Sequence, residues 1–360
     1  MAHSYRSIIT GTGSYIPPKK VTNNDFLNRT FLNADGSPFD KTNEEIIQKF
    51  EEITGIKERR YAADDILASD MAAEAGGNAL QDAELDPEEL DYIIVAHNFG
   101  DVRADNPVTD MVPSLASRVK QKLEIESPNC VAYDLPFGCP GWTQGIIQSN
   151  YYLQSGDASS CLVIGTETLS RICDPNDRDS MIYADGAGAT VLESKKTDKE
   201  IGILSHAART DAKEEAYFLR MEPPFDPKMA DAPLYMHMNG RKLYQYALTN
   251  VPDLVKSSLD KADLDFEDVH KVLIHQANAK MDEAIIQRLG KLYGKEDVPD
   301  DLMPMTISWL GNTSVATVPT LLDLILGGKM DDHHIHSGDV IVLSSVGAGM
   351  NINSVVYETP

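Results

Sequence analysis

Cysteine is scarce in this chain. Four stand in 360 residues, Cys130, Cys139, Cys161 and Cys173, and no two are spaced as a Cys-x-x-Cys pair. Neither a disulfide framework nor a zinc site is expected, so each thiol is a small buried hydrophobe or a reactive group. Positive charge is also scarce: 32 Lys and Arg face 56 Asp and Glu, for a net charge of -24. That balance argues against nucleic acid as a general partner. No apolar run approaches the roughly 18–20 residues needed to span a bilayer. Met1 to Pro18 lacks the basic-then-apolar order of a signal peptide. A cytoplasmic protein with no membrane span is therefore expected. What is present is ordinary for a globular chain: 42% hydrophobic and 24% charged residues, enough for a sizeable core. Acidic runs such as Asp297 to Asp301 read as solvated loops.

The chain repeats itself. LDPEELDYIIVAHN (Leu85 to Asn98) resembles LDFEDVHKVLIHQAN (Leu264 to Asn278), and SGDASSCLVIGTE (Ser155 to Glu167) resembles SGDVIVLSSVGAG (Ser337 to Gly349). The pairs keep their order and lie 179 and 182 residues apart. Helix–turn–strand units recur in any α/β protein, but two matched pairs at nearly one spacing point to an internal duplication. The halves would be residues 1–195 and 196–360, joined near the polar stretch Lys195 to Glu200. Short apolar runs at Tyr92 to Val95, Leu162 to Gly165, Lys271 to Ile274 and Val340 to Ser344 read as central strands of covered sheets. Ser69 to Ala83, with Ser69 as cap, and Val108 to Leu123 read as helices. The result is a layered α/β architecture.

DLPFGCPGW (Asp134 to Trp142) places Cys139 after a strand-like run, Cys130 to Tyr133, and before a helix from Pro140 to about Gln154. Pro140 suits the first helical position and Gly156 the C-terminal cap. A thiol beside a helix N-terminus is expected to have a lowered pKa and to be nucleophilic. The other cysteines fit a packing role. His275, in IHQAN, follows another strand-like run, and Asn312, in WLGNTS, precedes the helical run Val315 to Leu326. Functional groups gather at such element ends. A Cys with a His and an Asn distant in sequence is a known nucleophilic set, whose roles depend on the fold. Taken singly, the His is more often structural and the Asn a turn or cap residue.

Further motifs, in order, are GTGSYIPP (Gly11 to Pro18), TGIKERR (Thr54 to Arg60), SRICDPNDR (Ser170 to Arg178), YADGAGATVLE (Tyr183 to Glu193) and MNGRKLYQYA (Met238 to Ala247). With IHQANAKM, GNTS and the cysteine elbow, the chain resembles the 3-oxoacyl-[acyl-carrier-protein] synthase III branch of the thiolase-like superfamily over nearly its whole length. The resemblance implies a thiolase-like α-β-α-β-α fold built from two duplicated halves, and an acyltransferase of fatty acid or secondary metabolism. By resemblance, Cys139 takes the acyl primer, while His275 and Asn312 stabilise the enolate of a malonyl-type extender. The N–H groups of Cys139 and Ala348 would form the oxyanion hole. No metal or organic cofactor is implied. Acyl-coenzyme A and acyl carrier protein would be the substrate carriers, and the usual homodimer would bring Val112 to the partner's acyl pocket. Arg171 would clamp the adenine of coenzyme A. Lys280 and Arg241, with Lys242, Arg288 and Lys291, would offer a basic patch to the acidic carrier.

The chain also departs from the family pattern. Lys49 and Ile53 stand about where a Trp and an Arg are usual. Phe137, Pro140 and Trp142 crowd the nucleophile where small residues are usual, and Phe137 is expected to reshape the acyl pocket. Extra sequence lies at Asn28 to Thr42 and Asp101 to Met111. A divergent member is expected. The same residue set also serves acyl transfer to an oxygen, nitrogen or sulfur acceptor, or thioester hydrolysis. Gly11-Thr12-Gly13 lacks the third glycine of a dinucleotide fingerprint, and the cluster His333, His334 and His336 reads as an exposed loop.

Overall fold

The structure, a computed structural model, describes residues 4–229 and 231–360; the first three residues of the Met1–Pro18 segment lie outside it. Two sheets form the frame. The first has five strands in the order Ser4–Tyr15, Asp185–Thr197, Ser160–Thr168, Tyr92–His97 and Val131–Pro136. The second has four, in the order Gly202–Thr210, Asn351–Glu358, Val340–Gly347 and Val269–Ile274. Directions correspond as well. Tyr92–His97 runs parallel to Ser160–Thr168, as Val269–Ile274 does to Val340–Gly347, and the next strand in each sheet is antiparallel.

Alternation along the strands explains the layering. Ile93, Val95, Leu162 and Ile164 face one way, onto the helices Ala68–Asp82 and Leu115–Lys122. Ile94, Ala96, Cys161 and Val163 face the other way, into a core shared with Leu273, Ile341, Leu343 and Val355 of the second sheet. Between the sheets lie two helices, Gly141–Ser155 and Thr317–Leu326, buried along Ile146, Leu153, Leu321 and Leu322. The helices Gly240–Lys261 and Ala279–Leu292 cover the outer face of the second sheet. Side chains alternating across a strand thus give both sheets two apolar faces, and five layers satisfy all of them.

Gly11 and Gly13 serve this packing. A Cβ on either would lie within 2.4 Å of a backbone oxygen of the Ala68–Asp82 helix, Ala79 for one and Ala75 for the other. They let strand and helix touch, which accounts for the GTG motif without a phosphate.

Three local expectations are corrected. The helix expected over Val108 to Leu123 is instead a hairpin, Asp101–Arg103 against Asn106–Asp110, followed by a helix of only Leu115–Lys122. Pro113 keeps the residue before it out of the helical region, so the helix starts after it. The Asp134 carboxylate then accepts from the N–H groups of Leu115 and Ala116 at 2.8 and 2.7 Å. Ser69 does not cap its helix, which starts at Ala68. Asp101 reaches over from the hairpin and accepts from the Ser69 N–H and hydroxyl. Finally, Lys195 to Thr197 are strand, paired with Arg6 to Ser4, and not part of a linker.

Candidate active site

The two central helices and one strand end converge on a single cavity of about 810 Å³, and Cys139, His275 and Asn312 all line it. Cys139 follows the strand Val131–Pro136 through Gly138, whose φ of 74° lies in the left-handed region that favours glycine. A Cβ on Gly138 would sit 3.0 Å from the N and O of Ala348, so the elbow and the Ala348 loop are in direct contact. Pro140 is the cap of the helix Gly141–Ser155, which so begins one residue later than expected, and Gly156 ends it with φ 79°.

Burial pushes the Cys139 thiol up to about 11. Loss of solvent around a would-be thiolate thus works against the lowering expected from the helix N-terminus. Three donors work against that rise. The Ser314 hydroxyl donates to Sγ at 3.1 Å, and the N–H groups of Cys139 and Ala348 also favour the anion. At rest Cys139 is a thiol surrounded by donors that become more valuable once it ionises.

His275 is delivered by the strand Val269–Ile274, and its own N–H donates to the Ser344 carbonyl at 2.9 Å. Burial pushes the imidazole down to about 4, against a smaller pull from the Ser314 carbonyl, so the ring is neutral near pH 7. Its Nδ1 has no hydrogen-bond partner among the described residues. The next residue, Gln276, braces the segment: Nε2 donates to the Pro304 carbonyl at 2.8 Å, and Oε1 accepts from the N–H groups of Thr306 and Ile307.

Asn312 is pinned by its backbone, N–H to Ile182 at 2.9 Å and carbonyl from Ala184 at 2.9 Å. Gly311 before it has φ 72°, and a Cβ there would meet the Cβ of Arg59 at 2.7 Å. Arg59 is fully buried, with its guanidinium donating to Met181, Val21 and Asn23. The Oδ1 of Asn312 accepts from the Ser314 N–H at 2.8 Å. With the oxygen engaged, the amide is oriented and Nδ2 is left as a donor with no partner among the described residues. A neutral imidazole and a fixed amide beside a donor-lined thiol can stabilise negative charge developing on a bound carbonyl.

The residues expected to bind substrate are divided. Arg241 lines the cavity. Arg171 does not: its guanidinium donates to the carbonyls of Val102, Ala63 and Ile66 at 2.6 to 2.8 Å, so it ties three loops together and is not free for an adenine. Lys280 is exposed on the helix Ala279–Leu292 outside the lining, and Phe137 is not among the lining residues. Val112 is 87% exposed, away from the cavity of its own chain. Lys49 and Ile53 do line the cavity, and the segment Asn28 to Thr42 adds Asn33, Phe39, Asp40 and Lys41 to its wall.

Sequence reasoning passed over four residues. Arg178, at the end of SRICDPNDR, lines the cavity with its guanidinium 5.1 Å from the Phe39 ring centre. Ser314 is the serine of GNTS, and Asn98 and Glu167 end two of the repeated segments. Each stood in a quoted motif; for Asn98 and Glu167 the available signal was a polar side chain at the end of a buried strand, while Arg178 and Ser314 begin short helical turns after loops.

The profile described as 3-Oxoacyl-[acyl-carrier-protein (ACP)] synthase III matches residues 133–212, and the profile of that enzyme's C-terminal part matches residues 259–359. Among solved structures, 3-oxoacyl-[acyl-carrier-protein] synthase III from Aquifex aeolicus is 29% identical with a TM-score of 0.79, covering 98% of this chain and 99% of its own. The β-ketoacyl-[acyl carrier protein] synthase III of Thermus thermophilus gives the same identity, TM-score and coverage. The priming β-ketosynthase of the R1128 polyketide pathway is 25% identical with a TM-score of 0.81, covering 100% of this chain and 98% of its own. The thiolase-like α/β fold is thus the one expected. Because the first profile spans the cysteine elbow and the second spans both the His275 and Asn312 segments, the chain belongs, as a divergent member, to the 3-oxoacyl-[acyl-carrier-protein] synthase III family of condensing enzymes.

Proposed function

We propose that this enzyme joins an acyl primer to a malonyl unit carried by acyl carrier protein, with loss of carbon dioxide. The observation that supports the reading is the shared cavity: Cys139, His275 and Asn312 line one space that is apolar at Phe50, Leu219, Met238 and Met281 and wide enough for a thioester chain.

The reaction divides into two halves. Cys139 Sγ attacks the primer thioester, its proton leaves with the departing carrier thiol, and the N–H groups of Cys139 and Ala348 hold the tetrahedral oxyanion. The malonyl thioester then binds with its carbonyl oxygen toward His275 and Asn312 Nδ2. Loss of carbon dioxide leaves an enolate on that oxygen. Both donors favour this charge without themselves being charged, and a neutral His275 does not pin the malonyl carboxylate by ion pairing. The enolate carbon attacks the acyl carbonyl on Cys139, the C–S bond breaks to expel the Cys139 thiolate, a 3-oxoacyl thioester leaves, and the thiolate takes up a proton from solvent to restore the thiol.

The cavity is lined with cationic side chains, Lys41, Lys49, Arg178, Arg220 and Arg241, alongside Asp40 and Asp179. In a chain of net charge -24 these are the groups suited to a phosphopantetheine arm and an acidic carrier. Exposed Val112 suits an apolar contact with a second copy, and a homodimer is part of the proposal. So is the division of the chain into a half carrying Cys139 and a half carrying His275 and Asn312.

Intact-protein mass spectrometry tests the reading. The protein is incubated with a panel of acyl-coenzyme A and acyl-carrier thioesters, with Cys139→Ser as control, and malonyl-carrier protein is then added. An adduct on Cys139 that disappears on malonyl addition and yields a 3-oxoacyl product is expected. An adduct that malonyl leaves untouched, or one released as free acid, would replace condensation by acyl transfer elsewhere or by hydrolysis.

A further inference from the structure

Behind Cys139 runs a line of polar side chains that do not belong to the cavity wall. Glu167 is the penultimate residue of the strand Ser160–Thr168 and is 1% exposed. One of its carboxyl oxygens accepts from the Asn98 N–H at 2.7 Å and also from Asn98 Nδ2. The same Nδ2 donates to Ser314 Oγ at 3.2 Å, and Ser314 Oγ donates to Cys139 Sγ at 3.1 Å. Four residues from separate parts of the chain are thus joined in one directed series. Ser314 is its hub, because its N–H also holds Asn312 Oδ1. Ser314 has φ 52°, in the left-handed region that a residue with a Cβ seldom occupies. Such a conformation persists where the surroundings over-determine it, and it is enriched at working sites.

We propose that Glu167 is a positioning residue for the Cys139 thiol, acting through Asn98 and Ser314: it fixes the serine hydroxyl on the sulfur, and its own charge state governs how readily the thiolate forms. This rests on the reading of Cys139 as nucleophile. Directionality supports the first half. The Glu167 carboxyl accepts one Nδ2 hydrogen of Asn98, which aims the other at Ser314 Oγ. With that lone pair occupied, the serine hydrogen is free to point at sulfur, where it becomes a charge-assisted donor once the thiolate appears.

The second half follows from what surrounds the carboxyl. Burial pushes Glu167 up to about 8, against the two Asn98 donors. The other acid acting on it is Asp185, on the adjoining strand, itself engaged by Ser170 and Ala62. His97, next to Asn98, faces Asp134 at 3.0 Å instead, and no basic side chain pairs with Glu167 among the described residues. Near pH 7 the carboxyl is mostly neutral. As the pH rises past 8 it acquires a negative charge that opposes ionisation of Cys139, which feels Glu167 in that sense.

Alkylation of Cys139 by iodoacetamide, followed by peptide mass spectrometry from about pH 6 to about pH 10, reads thiolate formation directly. It needs no acyl substrate, so the condensation reading can fail while this inference stands, and the converse. In the wild type the logarithm of the rate should rise with pH, bend near pH 8 and continue on a lower line. Glu167→Gln keeps an acceptor for Asn98 without the charge. It should match the wild type at low pH, show no bend, and exceed it by about tenfold at the alkaline end. Glu167→Ala and Ser314→Ala should be slower at all pH values, by about tenfold, with Gln restoring what Ala loses at position 167. Superimposable wild-type and Glu167→Gln profiles without a bend would overturn the electrostatic half. Equal rates for Glu167→Ala and Glu167→Gln at low pH would overturn the positioning half.

Discussion

An amide with its oxygen already engaged can present only its N–H groups, and Asn312 is held in that state by the Ser314 N–H at 2.8 Å. Removing it should therefore harm one half-reaction selectively. Asn312→Ala is expected to slow decarboxylation of malonyl-carrier protein by about 10²–10³-fold, measured as carbon dioxide release, while the rate of acyl-Cys139 formation falls far less. Equal losses in both steps would place the amide elsewhere in the cycle. His275 carries a pH prediction. Its neutral form is the proposed donor, and burial keeps it neutral down to about 4. Decarboxylation should thus stay level from about pH 5 to about pH 7, with no inflection at the ordinary histidine value of about 6.5. A fall centred near that value would mean that the ring protonates freely, and that the burial argument is wrong. These two residues were picked out in IHQAN and GNTS by the combined resemblance of those motifs with the cysteine elbow, since a polar residue ending an apolar run is by itself a weak pattern. Their electrostatics were not legible. Whether a thiol is lowered by a helix end or raised by burial depends on how much solvent reaches it, and no local stretch of sequence states that. Arg171 shows the same limit: the residue is in place, but three carbonyls from distant loops claim its guanidinium.

Among the elements, the chain of contacts that matters is the meeting of the Cys139 elbow with the loop after Val340–Gly347. Gly347 has an extended backbone, so its conformation is not special; its lack of a side chain is. A Cβ there would lie 2.7 Å from both the Cβ and the N of Cys139 and 2.8 Å from Pro140 Cδ. Gly347→Ala must push the elbow and the loop apart, costing ~1–3 kcal/mol of stability and drawing the Ala348 N–H off the sulfur. Gly156→Ala offers the contrast. It strains a left-handed helix end that has open space around it, so it should cost ~1 kcal/mol with acylation of Cys139 unchanged. Thermal melts paired with acyl-adduct rates separate the two: equal acylation in both variants would remove the loop contact from the mechanism. The central strands behind these elements were readable from their apolar runs, since residues buried on both faces leave little else to vary. The Asp101–Asp110 hairpin was misread as the start of a helix. Strand pairing and Pro113 keep Val108 to Pro113 out of the helix, which forms only over Leu115–Lys122 with Ser114 as its cap, and the Ser69 helix is capped by an aspartate 32 residues away.

For the whole molecule the question is which charge an approaching carrier protein meets. The net charge of -24 would repel an acidic partner if it acted as a single distant charge. Solvent salt prevents that. The Debye length is about 8 Å at physiological ionic strength, so a partner within reach of the cavity responds mainly to the side chains beside it. Those include Lys41, Lys49, Arg178, Arg220 and Arg241, of which Lys41, Lys49 and Arg241 are largely exposed. Local attraction should therefore win over global repulsion. Raising sodium chloride from about 50 mM to about 300 mM should increase KM for malonyl-carrier protein several-fold, by roughly 3- to 10-fold. The double variant Arg220→Ala, Arg241→Ala should show a higher KM at low salt and a flatter dependence, with kcat little altered, because neither side chain hydrogen-bonds the cysteine, histidine or asparagine of the site. The sign of the salt effect decides the matter. If KM falls as salt rises, repulsion by the acidic surface dominates, and the cationic side chains of the cavity act on a small thioester and not on the carrier that brings it.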